Sequence, residues 1–268
     1  MTGLFSRIGS AFLAAAIWLT GCAVPVDEDG KEADSALSKS VLRVGVTANY
    51  PPLVDKVDGK LVGIEIDFAN EVGKDLAKRI EFVEIPFPQL IPALAGGDID
   101  VIMSGMSITA GRKQQISFTD PYMQIGQMAI TRIDEIQNLG SLTALLNAPI
   151  TVGFESGTTG ESFVKTNMRN AKPQPVASID AAVAALRSRE IDAFIHDAPT
   201  AWRIGSDPAY QDLIGLYWPL TDESLAWGVR ISDQTLRTAL NDQIAAMEKD
   251  GRIARITREW IKVRVKVR

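Results

Sequence analysis

The residues best suited to chemistry fall in short polar stretches that follow apolar runs. Ser104-Gly-Met-Ser-Ile-Thr-Ala-Gly-Arg112 offers hydroxyls, backbone N–H groups and one guanidinium beside a helix start. That set suits a carboxylate, because Arg pairs with it bidentately and helix N-termini favour anions. Glu155-Ser-Gly-Thr-Thr-Gly160 is a second hydroxyl-rich helix start, and Asp197 ends an apolar run with no Lys or Arg close by in sequence. A carboxylate so placed can take an ammonium group. Taken singly, Arg112 and Asp197 also fit surface ion pairs, and the Ser and Thr residues also fit helix caps. The chain has one Cys and one His, Cys22 and His196. This excludes a disulfide framework and argues against a Cys/His metal site or a Cys-His nucleophile. No metal and no cofactor are expected, and catalysis would have to rest on carboxylates, Lys or hydroxyls.

The net charge is -5 and no basic block is present, which argues against a nucleic-acid partner. Lys262 to Arg268 alternates basic residues with Val and reads as a frayed end. At the other terminus, Arg7 precedes an apolar run from Ala11 to Leu19, too short for a membrane span and suited to a secretory signal core. Leu19-Thr-Gly-Cys22 then resembles a lipobox, so residues 1–22 are expected to be a lipoprotein signal ending at a lipidated Cys22. Residues 23–40 are acidic with almost no large apolar side chains, and are expected to form a flexible tether. The expected location is extracytoplasmic, held to a membrane by lipid.

From Val41 the pattern alternates strand and helix. Val41 to Val46, Ile80 to Ile85 and Asp98 to Met103 read as strands, separated by helices over Gly63 to Lys78 and Gln89 to Ala95. The same order recurs, with strands at Ile150 to Phe154, Pro173 to Ala177 and Ile191 to Ile195 and helices at Gly160 to Met168 and Asp180 to Arg189. Two similar α/β lobes with parallel sheets are therefore expected, lobe 1 over 41–130 and lobe 2 over 131–224. Residues 225–268 are too few for a third domain and are expected to return to lobe 1. The chain would then cross between lobes near Ala129 to Arg132 and Ala226 to Arg230, as a hinge. Ligands of open parallel sheets bind beyond the carboxyl ends of strands. That rule selects the loops at Thr47 to Leu53, Ser104 to Arg112, Glu155 to Gly160 and His196 to Thr200.

Across residues 41–262 the chain resembles the bacterial extracellular solute-binding proteins of family 3, the polar amino-acid receptors of ABC importers. The resemblance lies in Tyr50-Pro-Pro, Gly63-Ile-Glu-Ile-Asp-Phe, Leu90-Ile-Pro-Ala-Leu, Asp98-Ile-Asp-Val-Ile-Met-Ser-Gly-Met-Ser-Ile-Thr, Phe118-Thr-Asp-Pro-Tyr122, Gly157-Thr-Thr and Asp192-Ala-Phe-Ile-His-Asp197. It implies a type II periplasmic-binding-protein-like fold that closes on a free amino acid and delivers it to a permease, as a monomer and without catalysis. By resemblance, Arg112 grips the α-carboxylate with Ser107 and Thr158 or Thr159, and Asp197 takes the α-ammonium. Ser104 and Gly105 add a hydroxyl and a backbone carbonyl, and Tyr50 and Phe87 wall the side chain. The sequence departs from the family pattern at Leu53, often Phe, and at Ala110-Gly111, usually Pro-Glu. Thr47 stands where receptors for cationic amino acids often carry an acid, which favours a neutral polar, glutamine-like ligand. His196 matches glutamine receptors, yet Glu155 replaces a Lys found there, so Thr47, Glu155 and His196 are candidate side-chain contacts.

Two other classes fit the same pattern. Some relatives of the fold resemble cyclohexadienyl or arogenate dehydratases, which need a general acid in a closed cleft. Glu155, Glu223 and His196 are the candidates here. The remaining class is a ligand-sensing partner of a membrane receptor, which would require another protein to read the closed state.

Overall fold

The computed structural model describes residues 35–261. The signal segment, Cys22 and most of the expected tether lie outside them.

The first sheet is built on Val41–Val46, whose apolar side chains are almost all buried. Arg79–Glu84 runs parallel along one side, in the register Val41 to Arg79 through Val46 to Glu84, and Val101–Ile102 runs parallel along the other. Gly228–Val229 then joins antiparallel between Val101–Ile102 and Ser117–Phe118. The helix Ile64–Asp75 packs Ile64, Phe68 and Val72 on this sheet. Its first free N–H groups do not rely on a side-chain cap: Ile64 N–H donates to Pro52 O and Glu65 N–H to Leu53 O. The Tyr50-Pro-Pro-Leu53 loop is thus held by the helix start, which fixes where Tyr50 stands.

The second sheet orders Lys172–Val176, Thr151–Glu155, Ala193–Asp197, Gln127–Arg132 and Leu213–Gly215. The first three are parallel and the last two antiparallel. Each lobe therefore carries the three parallel strands read from the sequence plus antiparallel strands at one side. Helices Thr159–Asn167, Ile179–Arg187 and Ala198–Ser206 each begin just beyond a strand of this sheet.

The crossings differ from the expected positions. The chain passes between lobes at Met123–Ile125 and Glu223–Leu225, which pair antiparallel. Gln127–Arg132 lies wholly inside the second sheet and Gly228–Val229 inside the first. The extended crossing runs straight into sheet strands, so the apolar residues that looked like linkers are buried ladder residues. The tether also ends earlier than residue 40. Ala36 is fully buried, its N–H donates to Asp233 Oδ2 at 2.9 Å, and Ser35 Oγ donates to Asp233 Oδ1 at 2.6 Å. Lys78 Nζ donates to the carbonyls of Leu37 and Lys39. This attachment is mostly polar, with Ala36 and a partly buried Leu37 as its apolar contacts, so a pattern of large apolar residues could not reveal it.

Candidate functional site

A cavity of about 330 Å³ lies between the lobes, at the carboxyl ends of the parallel strands. Lobe 1 contributes Thr47, Ala48, Asn49 and Tyr50, then Pro86, Phe87 and Pro88, and then Gly105, Ser107 and Arg112. Lobe 2 contributes Gln127, Glu155, Ser156, Thr158, Thr159, the stretch Val176 to Ser178, and Ile195, His196 and Asp197. Every ligand-contact residue nominated from sequence lines it except Ser104, which is buried and accepts from Thr47 N–H at 2.9 Å.

Arg112 sits in the short helix Ala110–Lys113, entered through a cap in which Thr109 Oγ1 accepts from Arg112 N–H. Its guanidinium donates to Ser107 O at 2.8 Å and, across the cleft, to Gly157 O at 3.2 Å. It also lies 5.2 Å from the centre of the Phe87 ring. Burial lowers this guanidinium from its ordinary value, with Glu223 opposing the shift. Gly157 has φ +79, a left-handed conformation that turns its carbonyl toward the cleft at little steric cost. Gly105, at φ +62, could not carry a side chain at all, because a Cβ would stand 2.5 Å from the Tyr50 ring.

Asp197 ends the strand Ala193–Asp197 and accepts from Tyr50 Oη of the other lobe and from Gln127 Nε2. Burial pushes its carboxyl well above the ordinary carboxylate range, and Glu223 adds a smaller push the same way. Among the described residues, neither Arg112 nor Asp197 is in an ion pair. Among the described residues the cavity thus holds a half-buried guanidinium and a buried carboxyl group on opposite lobes, each without a charged protein partner.

Thr158 caps the helix Thr159–Asn167: its Oγ1 accepts from Glu161 N–H and donates to Glu155 O. Thr159 Oγ1 accepts from Gln127 Nε2 at 2.9 Å. Thr47 spends its hydroxyl on Ile85 O. His196 Nε2 lies 2.9 Å from Glu155 Oε2, and the backbone N–H of Asp197 donates to His196 Nδ1 at 2.8 Å. Glu223 is on the crossing strand and outside the cavity lining, with Oε1 accepting from Thr221 Oγ1. Gln127 was not foreseen from sequence. It stands opposite Asp197 in the ladder, at the start of an antiparallel strand, so a rule that looks only beyond the ends of parallel strands passes over it.

The family model of bacterial extracellular solute-binding proteins, family 3, matches residues 42–263. The chain belongs to this family. Among its solute-binding relatives, a probable histidine-binding protein of Campylobacter jejuni is 34% identical over 198 residues, covering 72% of this chain and 74% of the relative. The ABC transporter glutamine-binding protein of Bacillus subtilis is 28% identical over 211 residues, covering 76% and 74%. Among solved structures, an ancestral arginine-binding protein bound to arginine aligns with a TM-score of 0.77 at 32% identity, covering 83% of this chain and 98% of that one. The ancestral amino acid-binding protein AncCDT-1, a precursor of cyclohexadienyl dehydratase, aligns with a TM-score of 0.78 at 31% identity, covering 84% and 97%. The two-lobed α/β architecture of this solute-binding protein is therefore the fold expected from its sequence. Among its described residues, no helix is long and apolar enough to cross a membrane.

Proposed function

We propose that this protein captures a free α-amino acid between its lobes and hands it to the permease of an ABC importer. The observation that carries this reading is the pair Arg112, half-buried, and Asp197, buried, lining one cavity from opposite lobes with no charged partner among the described residues. A zwitterion losing its water needs an opposite charge at each end, and this pair supplies both. The relatives named for histidine and glutamine support the same ligand class. Thr47 supports a neutral polar, glutamine-like side chain, whereas Glu155, in the same cavity, supports a cationic one.

Contacts across the cleft involve Tyr50 with Asp197, Arg112 with Gly157 and Thr200 with Pro51. A ligand gripped by both lobes favours this closed arrangement by its differential affinity. Calorimetry against a panel of free amino acids should find at least one tight ligand, and saturating it should reduce the radius of gyration in small-angle scattering. Confirmed binding with an unchanged radius would reject closure.

One observation favours a second reading: Glu155, hydrogen-bonded to His196, lines the cavity between the lobes, where it would serve as an acid in dehydratase chemistry. Turnover of prephenate or arogenate, with no amino acid bound, would replace the receptor reading.

Lipid anchoring at Cys22 belongs to the same proposal and rests on the apolar run that ends in Leu19-Thr-Gly-Cys22. Cys22→Ala should leave the protein unprocessed or released from membranes. Normal processing and retention of the variant would remove the anchor.

A further inference from the structure

We propose that the captured amino acid carries a cationic side chain and that Glu155 is its counter-charge. The inference rests on the amino-acid reading of the cavity and adds to it the class of ligand. Three charged side chains line the cavity: Arg112 on lobe 1, and Asp197 and Glu155 on lobe 2. A zwitterionic headgroup matches Arg112 with its carboxylate and Asp197 with its ammonium, which leaves Glu155 unmatched.

His196 does not neutralise it. The backbone N–H of Asp197 donates to His196 Nδ1 at 2.8 Å, so that nitrogen presents its lone pair and the ring proton sits on Nε2. Nε2–H then faces Glu155 Oε2 at 2.9 Å, as a single neutral donor. The ring is held in this orientation by Tyr50 and Phe194, whose centres lie 5.0 and 5.3 Å away. Among the described residues, Glu155 forms no ion pair with Lys or Arg, and its second carboxylate oxygen accepts no hydrogen bond. The Glu155 side chain is still 25% exposed and His196 only 8%, so of the two cavity-lining side chains the carboxylate is the more accessible.

Closing the lobes over a neutral side chain would strip water from a carboxylate that has one donor. Closing over a guanidinium, ammonium or imidazolium replaces that water with charge-assisted hydrogen bonds. The expectation drawn from Thr47 concerns only the lobe 1 wall, and the Thr47 hydroxyl is already committed to Ile85 O. The charge is supplied from the facing wall instead.

The test pairs ligands of nearly equal shape on the wild-type mature chain, by calorimetry. Arginine is compared with citrulline, its neutral ureido counterpart, and lysine with norleucine. At least one cationic member should bind about tenfold to a hundredfold more tightly than its neutral partner. Glu155→Gln keeps an acceptor for His196 Nε2–H and removes only the charge, so it should erase that preference while glutamine affinity holds or rises. Equal affinities within both pairs, or a wild-type preference for glutamine over arginine, lysine and histidine, would overturn the inference and leave the amino-acid reading standing. If no member of the panel binds, the amino-acid reading itself falls, and this inference falls with it.

Discussion

Arg112→Ala and Asp197→Asn should each weaken amino-acid binding by tens-fold to thousands-fold while leaving the ligand-free protein as stable as wild type or more so. Hydrogen bonds to charged groups contribute roughly 1.5 to 3 kcal/mol each, and truncating one partner of a buried charged pair costs about 2 to 5 kcal/mol. Asparagine at 197 can still accept from Gln127 Nε2 and meet Tyr50 Oη, so the substitution removes the charge and keeps the neutral contacts. The stability part follows from the direction of the shift. Burial raises the Asp197 carboxyl, so its favourable contribution is complete below the ordinary carboxylate range, near about 3.9, and is lost as pH rises through the raised value. Wherever the pH exceeds that raised value the empty site carries a carboxylate that costs stability, and removing its charge should hold or raise the melting temperature. A structural ion-pair role predicts the opposite outcome, with affinity kept and melting temperature lowered. Calorimetry and thermal melts on the same preparations separate the two, and wild-type affinity in both variants would sink the headgroup assignment.

The same residues show why the site was so largely legible. A strand that is buried on both faces leaves a continuous apolar run, and the loop after it is polar because it meets the cleft; Ala193–Asp197 and Thr151–Glu155 both follow this pattern. Reading the loop after each run therefore reached Glu155, His196 and Asp197, all of which line the cavity. Sequence could not reveal features set by direction or by polar packing. Gln127 begins a strand that runs against its neighbour Ala193–Asp197, so it reaches the cleft from the strand's amino end. The crossing strands Met123–Ile125 and Glu223–Leu225 are three residues each, too short to show a period. Ser104 has the right chemistry for a ligand contact, but its hydroxyl is taken by Thr47 N–H, a partner that only the folded loop brings near. The charge of the side-chain wall was also open, because only the fold brings His196 against Glu155 and leaves that carboxylate without a Lys or Arg among the described residues.

Glu65→Ala should cost about 3 to 5 kcal/mol of folding stability, although the residue does not itself line the cavity. Glu65 is fully buried in the first turn of the helix Ile64–Asp75. Its Oε1 accepts from Gly105 N–H and Tyr122 Oη, each at 2.6 Å, and its Oε2 accepts from Trp227 Nε1 at 3.0 Å. Burial raises the carboxyl above its ordinary value, so the three donors offset a desolvation cost and do not act as free gain. Removing the side chain leaves three buried donors unpaired, at roughly 1 to 3 kcal/mol each, against partial relief from no longer burying a charge. For a chain of this size the loss corresponds to a drop of about 6 to 20 °C in melting temperature. The donors also come from places that matter for closure. Tyr122 immediately precedes the first crossing strand, Trp227 follows the second, and Gly105 lines the cavity. One carboxylate therefore ties both crossings and a wall of the site to the start of a single helix. Glu65→Gln must turn its NH₂ toward either the indole or the Gly105 N–H, so it should lose a smaller amount, about 1 to 3 kcal/mol. A melting temperature for Glu65→Ala within about 2 °C of wild type would show that these donors find other partners, and that the carboxylate does not hold the crossings in place.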